Sequence, residues 1–172
     1  NLPQQLIELR SRIANDEKVV SPFSLLGLLD DPALQRKASE IYVNYYYPKN
    51  NSLPKISHYS SHNKIRIGYF SADFKQHPVA TLTAELYEMH NRNYFEIHAF
   101  SFGADTNDEM NLRIKAGVDY FHDVKDTPLK DLALLARSFE IDIAIDLGGF
   151  TAKSRTEIFA MSVAPIQLSY IG

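Results

Sequence analysis

Two short segments of the sequence carry the residue types that could do chemistry. The first is SADFKQHP, residues 71–78, in which His77 directly precedes Pro78. The second is GGFTAKSR, residues 148–155, which opens on a glycine pair and continues with hydroxyl and cationic side chains. An imidazole exchanges protons near neutral pH, and glycine lets the backbone approach a ligand closely. The two segments are therefore candidates for one substrate site.

Each segment also has a purely structural interpretation. A histidine before a proline can simply end a loop ahead of a helix, and a glycine pair after a strand is often only a tight turn. Upstream of the glycines, Asp142 and Asp146 alternate with apolar residues, so their side chains share one face of a strand. Asp146 lies at the strand end and is the better site candidate, whereas Asp142 suits a structural partner.

No metal site is predicted. His58 and His62 are four residues apart, but the Ser and Asn residues around them disfavour a helix and no third ligand is near. The sequence has no cysteine, which excludes thiolate metal sites and disulfides. It also lacks the glycine patterns of a dinucleotide fold and a P-loop, the G-x-S-x-G of a hydrolase and the H-E-x-x-H of a zinc protease.

From Lys64 onward, strands alternate with helices. These elements must position the two segments. The hydrophobic pattern predicts strands at 65–70, 94–102, 119–124, 141–147 and 165–171. It predicts helices between them at 79–90, from Thr106, from Thr127 to about Phe139, and after Ser154. This alternation is typical of an α/β, Rossmann-like parallel sheet with helices on both faces and right-handed crossovers. In the usual doubly wound order the first and fourth strands are neighbours, so both segments would line one crevice at the carboxyl ends of the strands.

Local signals refine these helices. Two pairs have the spacing of a capping box at a helix start, Thr106 with Glu109 and Ser154 with Glu157. The apolar residues along one face of the 79–90 helix are Leu82, Leu86 and Met89.

A small all-helical segment, residues 1–47, is predicted to precede the sheet, and the polar residues 48–63 are predicted to be a linker. Leu2, Leu6, Leu9 and Ile13 have the spacing of one helix face. Ser21 and Asp31 each precede a proline that suits the first position of a helix. The helix after Asp31 is expected to bury Leu34, Ala38, Ile41 and Tyr45.

The overall composition is ordinary, with 45% hydrophobic residues, 23% charged residues and a net charge of −3. This balance gives no electrostatic reason to expect nucleic acid or an acidic membrane as a partner. No apolar run approaches the roughly 20 residues that span a bilayer. The chain begins with Asn1 and shows no secretory signal, so we expect a piece of a longer cytoplasmic protein.

Three stretches together carry a family resemblance. They are SPFSLLGLLDDPALQRKASEIY, KIRIGYFSADFKQHPVATL and EIDIAIDLGGFTAKSRTEIFAMSVAPIQLSYIG. In these stretches the chain resembles the protein O-GlcNAc transferase family in its bacterial, tetratricopeptide-linked, SPINDLY-like form. The resemblance implies a two-lobed glycosyltransferase with the active site between the lobes. Residues 64–172 would be the first Rossmann-like catalytic lobe and residues 1–47 would join it to upstream repeats, with the second lobe outside this sequence.

The resemblance also implies roles for matched positions. His77 would lie near the transferred sugar and the acceptor hydroxyl and would be the catalytic candidate. The residues with an implied substrate role are Pro78, Asp146, Gly148, Gly149, Phe150, Thr151 and Arg155. Some members have asparagine at the positions of Asp146 and Gly148, so amide contacts there do not transfer. An aspartate proposed as the base in animal members matches Phe139, so that role does not transfer either.

The implied reaction is displacement at the anomeric carbon of N-acetylglucosamine by a Ser or Thr hydroxyl, with uridine diphosphate leaving. The donor substrate is UDP-GlcNAc, neither a cofactor nor a metal ion is implied, and the partner is a protein or peptide acceptor. Because the second lobe would hold most of the nucleotide sugar, two alternatives stay open. One is the same fold with another donor, as in a protein fucosyltransferase or an asparagine glucosyltransferase, and the other is a non-catalytic protein-binding module.

Overall fold

A computed structural model of the chain describes residues 1–56, 59, 62–151 and 153–171. Within these residues the first compact unit, Asn1–Asn50, contains α1 (Leu2–Ala14), α2 (Pro22–Leu26) and α3 (Pro32–Tyr46). The second unit, Asn51–Gly172, contains β1 (Ile65–Ser71), α4 (Pro78–Met89), β2 (Phe95–Ser101), α5 (Glu109–Gly117), β3 (Tyr120–Asp123), α6 (Leu129–Ser138), β4 (Ile143–Asp146), α7 (Glu157–Ala160) and β5 (Ile166–Ser169).

The five strands form one parallel sheet in the order β3-β2-β1-β4-β5. This is the strand order of a doubly wound α/β fold, and it confirms the predicted Rossmann-like class. It also confirms that the first and fourth strands are neighbours. Tyr69 of β1 is aligned with Ile145 of β4, and Phe70 with Asp146.

The sheet is buried on both faces because residues alternate along each strand. On one face, Ile67 and Tyr69 of β1 pack in a core with α4 and α5. On the other, Phe70 packs in a core with α6 and α7, and its ring stacks on Phe100 of β2 at 4.5 Å between centroids. Neighbouring residues of one strand therefore serve different cores, which fixes the register of the sheet.

The predicted apolar face of α4 is only partly right, because Leu86 packs against the core but Leu82 and Met89 do not. The buried residues of α4 are Ala80, Thr83, Ala84 and Tyr87, whereas Leu82 and Met89 are more than 70% exposed. Small side chains on the inner face let the helix lie close to the sheet, and the Thr83 hydroxyl is satisfied by the Val79 carbonyl at 2.8 Å. Side-chain size, rather than hydrophobicity alone, decides which face is inward.

Both predicted capping boxes are also wrong. Helix α5 begins at Glu109, and its cap is Asp108, whose carboxylate accepts from the Asn111 N–H at 2.8 Å. The Thr106 hydroxyl instead donates to Asp108 at 2.6 Å. Helix α7 begins at Glu157 after Thr156, with no side-chain cap, so Ser154 does not cap it.

In the first unit the predicted caps are confirmed. Ser21 accepts from the Ser24 N–H at 3.2 Å, and Asp31 accepts from the Leu34 N–H at 3.1 Å. Ala38 is buried as predicted, and Leu34 and Ile41 pack against the same small core. Tyr45 is 64% exposed, contrary to the prediction, and its ring lies 3.9 Å from the Lys18 ammonium.

A network of ion pairs lies at the amino end of the sheet. Asp142 accepts from the Arg66 N–H at 2.8 Å, and the Arg66 guanidinium lies 3.1 Å from Glu140. The His62 ring lies between the same two carboxylates, 2.9 Å from Glu140 and 3.3 Å from Asp142. This confirms that Asp142 is a structural partner.

Two histidines link β2 and β3. His98 Nδ1 lies 3.0 Å from His122 Nε2, and His98 Nε2 lies 3.0 Å from a Glu96 oxygen. All three groups are satisfied when His98 donates to Glu96 and His122 donates to His98. Burial lowers the pKa of both rings, and that of His122 falls to about 4 with His98 as a further cause.

Candidate functional site

The two candidate segments leave the sheet side by side. β1 ends at Ser71 and β4 ends at Asp146, and the Leu147 N–H donates to the Phe70 carbonyl at 3.1 Å. Both segments therefore begin at the carboxyl ends of neighbouring parallel strands, where ligands bind in this class of fold.

Residues at the start of α5 form hydrogen bonds with the segment 71–78. The Asn111 amide donates to the Phe74 carbonyl at 2.7 Å, and Asp108 accepts from the Gln76 N–H at 2.9 Å. The same Asp108 caps α5, so one carboxylate joins a helix start to a loop from another strand. The sequence alone did not indicate these contacts, although an aspartate ahead of a helix is a usual capping signal.

Gly103, just after β2, lies against the same segment. A Cβ added at Gly103 would be 1.8 Å from the Ala72 carbonyl oxygen, far inside van der Waals contact. The backbones pass so closely here that only glycine fits.

His77 is the N-cap residue of α4 and is only partly buried, with 38% of its side chain exposed. Its Nδ1 accepts from the Val79 N–H at 3.3 Å and lies 3.8 Å from an oxygen of Asp73. Pro78 is the first residue of the helix and is exposed. His77 thus ends a loop ahead of a helix, which agrees with the purely structural interpretation of this residue. Part of its ring is nevertheless exposed at the carboxyl side of the sheet.

Asp146 is buried at the end of β4, and one of its oxygens holds the glycine pair. That oxygen accepts from the N–H of Gly148 at 2.9 Å and of Gly149 at 3.2 Å. Burial raises the pKa of Asp146, and the two N–H groups oppose the rise. The second oxygen has no hydrogen-bond partner in the part of the chain that is described.

Gly148 and Gly149 each occupy a position where a residue with a side chain would be strained. Gly149 has a φ of 50°, in the left-handed region. A Cβ on Gly148 would lie 3.1 Å from the Ser154 Cβ, tighter than ordinary contact. The turn is closed by the Thr151 hydroxyl, which donates to the Gly148 carbonyl at 2.6 Å, and by the Thr156 hydroxyl, which donates to the Gly149 carbonyl at 2.7 Å. Phe150 is half-buried at its tip.

Arg155 fastens this turn to the loop after β3. Its guanidinium donates to the Val124 carbonyl at 3.1 Å, to the Thr127 carbonyl at 2.8 Å and to the Lys125 carbonyl. It also lies 5.6 Å from the Phe102 ring. The structure therefore places Arg155 as a link between two carboxyl-end loops, a placement that sequence spacing did not indicate.

In the described residues, no group of three or more His, Asp or Glu side chains is arranged to hold a metal ion. His58, which the sequence pairs with His62, lies outside the described residues. Across the same part of the chain, no helix has the length and apolar character that crossing a membrane requires.

Comparison with known proteins gives consistent results. Residues 42–172 match the family model of Glycosyl transferase family 41. The chain is 33% identical over 163 residues to an Arabidopsis thaliana protein named probable UDP-N-acetylglucosamine–peptide N-acetylglucosaminyltransferase SEC, covering 89% of this chain and 17% of that protein. It is 35% identical over 112 residues to a UDP-N-acetylglucosamine–peptide N-acetylglucosaminyltransferase of Caenorhabditis elegans, covering 63% of this chain and 10% of that protein.

A solved structure is similar as well. A mutant of the Thermobaculum terrenum O-GlcNAc transferase superposes with a TM-score of 0.74 at 27% identity, covering 83% of this chain and 28% of that chain. The chain therefore spans less than a third of each of these three proteins.

Proposed function

The chain belongs to glycosyl transferase family 41, and on that premise we propose that it is the first catalytic lobe of a protein O-GlcNAc transferase. The enzyme would move N-acetylglucosamine from UDP-GlcNAc to Ser and Thr hydroxyls of proteins. The observation that carries this proposal is the family match over residues 42–172, which includes both candidate segments. The adjacency of these segments at the carboxyl ends of β1 and β4 supports it.

The transfer requires that a hydroxyl loses a proton while its oxygen bonds to the anomeric carbon and the diphosphate leaves. We propose that His77 assists the proton transfer, an effect typically worth about 10²–10⁴-fold in rate. Its half-exposed ring at the carboxyl side of the sheet suits this role. Pro78, which has no N–H to be capped, would fix the helix start next to the substrate.

The turn after β4 would form the wall on the other side of the substrate. Gly148, Gly149, Phe150 and Thr151 would contact the sugar and the acceptor, with Asp146 holding the glycines in place. Since its guanidinium is engaged by three carbonyls, we propose that Arg155 serves the site by shaping this turn.

The remaining parts of the proposal concern the longer protein. A second lobe would bind most of the uridine diphosphate, tetratricopeptide repeats would precede residues 1–47, and residues 48–63 would link that segment to the lobe. The acceptor would be a protein or peptide, and neither nucleic acid nor a membrane would be a partner. We place the enzyme in the cytoplasm.

The proposal is tested with the full-length protein that contains this chain. It is incubated with acceptor proteins and, separately, with UDP-GlcNAc, UDP-glucose or GDP-fucose, and the acceptors are analysed by intact mass and fragmentation. Addition of N-acetylhexosamine to Ser or Thr from UDP-GlcNAc alone is the expected result. Transfer of another sugar would replace the donor assignment, and binding of acceptors with no transfer from any donor would favour a non-catalytic module.

A further inference from the structure

The Nδ1 atom of His77 lies near two groups with opposite requirements. The Val79 N–H points at Nδ1 from 3.3 Å and needs a lone pair there. The Asp73 carboxylate lies 3.8 Å from the same Nδ1 and can only accept, so it favours a proton there. The two neighbours therefore favour different tautomers of the same ring.

The tautomer decides what the other ring nitrogen, Nε2, can do. With the Val79 contact dominant, the neutral ring carries its proton on Nε2 and can only donate there. With the Asp73 contact dominant, the proton sits on Nδ1 and the Nε2 lone pair is free to accept. Only the second form can take a proton from a substrate hydroxyl.

We propose that Asp73 is a positioning residue for the transfer, because it favours the tautomer of His77 in which Nε2 is a proton acceptor. This inference rests on the proposed function for its role in catalysis, but the pairing itself is a property of this chain. Asp73 is not among the residues that sequence and resemblance assigned to the site.

The proton and electron balance of the step is simple. The O–H bond of the acceptor hydroxyl breaks and an N–H bond forms at Nε2 of His77. The hydroxyl oxygen bonds to the anomeric carbon, and the bond from that carbon to the diphosphate oxygen breaks, its electron pair leaving with the diphosphate. The ring is then a cation, with Nδ1–H directed at Asp73, and the proton passes to solvent when the products leave.

The surroundings of Asp73 suit this role. Its side chain is 22% exposed, so the carboxylate is partly shielded from water and its interactions are stronger than at the open surface. Its backbone N–H donates to the Ser71 hydroxyl at 3.0 Å, which ties the residue to the end of β1. Lys75 lies 3.8 Å from its other oxygen.

The pairing is tested by nitrogen-15 NMR of the histidine rings, which distinguishes Nδ1–H from Nε2–H without any substrate. A His77→Gln spectrum assigns the His77 signals. We expect Asp73→Asn and Asp73→Ala to lower the ratio of Nδ1–H to Nε2–H at His77 by about two- to threefold, because the 3.8 Å contact is an ion-pair distance and too long for a hydrogen bond. Asp73→Glu, which keeps a carboxylate, should lower this ratio less than Asp73→Asn does. The matched control is Asp126→Asn, which removes an exposed carboxylate from the loop after β3.

An unchanged ratio in both Asp73 variants, or an equal change in Asp126→Asn, would overturn the proposal. In the full-length enzyme, Asp73→Asn should lower kcat by about the same factor as the tautomer ratio, with KM for UDP-GlcNAc nearly unchanged. A normal kcat in this variant would overturn the catalytic role of Asp73 and leave the proposed function standing. If the unsubstituted enzyme transfers no sugar, the proposed function fails. The NMR ratio still shows whether Asp73 sets the tautomer of His77.

Discussion

At the residue scale, His77 combines two tasks that are normally separate. It caps α4 through Nδ1 and presents part of its ring at the carboxyl side of the sheet. A single substitution to alanine therefore removes both a cap and an imidazole, and the two losses must be measured apart.

Asparagine separates these tasks, because its side chain can cap a helix but does not exchange protons near neutral pH. In the full-length enzyme we expect His77→Asn to keep the melting temperature almost unchanged and to lower single-turnover rates by at least about 10²-fold. His77→Ala should lower the rate similarly and also cost about 1 kcal/mol of stability. Near-normal turnover in His77→Asn would remove the imidazole from the mechanism.

Arg155 gives a second prediction at this scale. Replacing it with methionine keeps much of the side-chain volume but leaves three carbonyls of the loop after β3 without their donor. We expect the free energy of unfolding of the chain to fall by about 2 kcal/mol. Urea denaturation measures this, with Lys153→Met as the control, since Lys153 is an exposed cation of the same segment. Equal stability of the two variants would contradict the linking role.

At the element scale, the segment that bears His77 depends on residues from the next strand and helix. Gly103 after β2 allows the backbones to pass, and Asp108 and Asn111 at the start of α5 hold the loop by hydrogen bonds. The geometry of the site is thus set by two loops rather than one.

Gly103→Ala should be strongly destabilising. The added methyl would meet the Ala72 carbonyl oxygen at 1.8 Å, and backbone cannot move as a flexible side chain does. We expect a loss of about 3 kcal/mol or more in urea denaturation of the second unit. The matched control is Gly117→Ala in the same unit, where the nearest atom to a new Cβ belongs to the flexible Glu88 side chain, at 3.3 Å. A Gly103→Ala chain as stable as this control would show that the two loops can separate without cost.

The histidine pair between β2 and β3 predicts how stability depends on pH. Since the pKa of His122 is about 4 in the folded chain and about 6.5 when unfolded, the unfolded chain binds more protons between these values. The lowered pKa of His98 acts in the same direction. We expect stability that is fully present above about pH 6.5 and is lost as the pH falls toward 4. Urea midpoints at several pH values measure this loss.

His122→Phe should make this pH dependence shallower, because phenylalanine fits the aromatic stack around His122 and does not titrate. A midpoint that rises as the solution is acidified would contradict the assignment.

The sequence predicted the alternation of elements, and from it the adjacency of β1 and β4, because strand order in this fold follows from chain order. It did not predict which face of α4 is inward, since Ala80 and Ala84 are buried for their small size. It missed the contacts of Asp73 and Arg155 for a different reason. A loop carboxylate or guanidinium finds its partners by three-dimensional proximity, and those of Arg155 lie about 30 residues away along the chain.

At the scale of the whole molecule, the chain is a fraction of the proteins it matches. It covers 17% of the Arabidopsis relative and 28% of the solved Thermobaculum chain. A reaction between a nucleotide sugar and a protein needs surfaces for both substrates, and the proposed function assigns most of the nucleotide surface to a second lobe.

The isolated chain is therefore expected to have no transferase activity. Purified chain incubated with radiolabelled UDP-GlcNAc and an acceptor peptide should give no product above a blank without protein. The full-length enzyme, assayed in parallel, shows that the substrates are competent. Clear turnover by the isolated chain would mean that the donor binds within residues 51–172, and the division of labour between lobes would have to be redrawn.

The way the start of α5 holds the segment 71–78 has a consequence for protein engineering. Transplanting that segment alone into a related scaffold would leave the Phe74 carbonyl and the Gln76 N–H without their partners and would set Ala72 against a foreign side chain. Residues 103–111 must be exchanged together with it. The smallest portable piece of this half of the site is thus a pair of loops from two strands, and a library that varies substrate preference should diversify both at once.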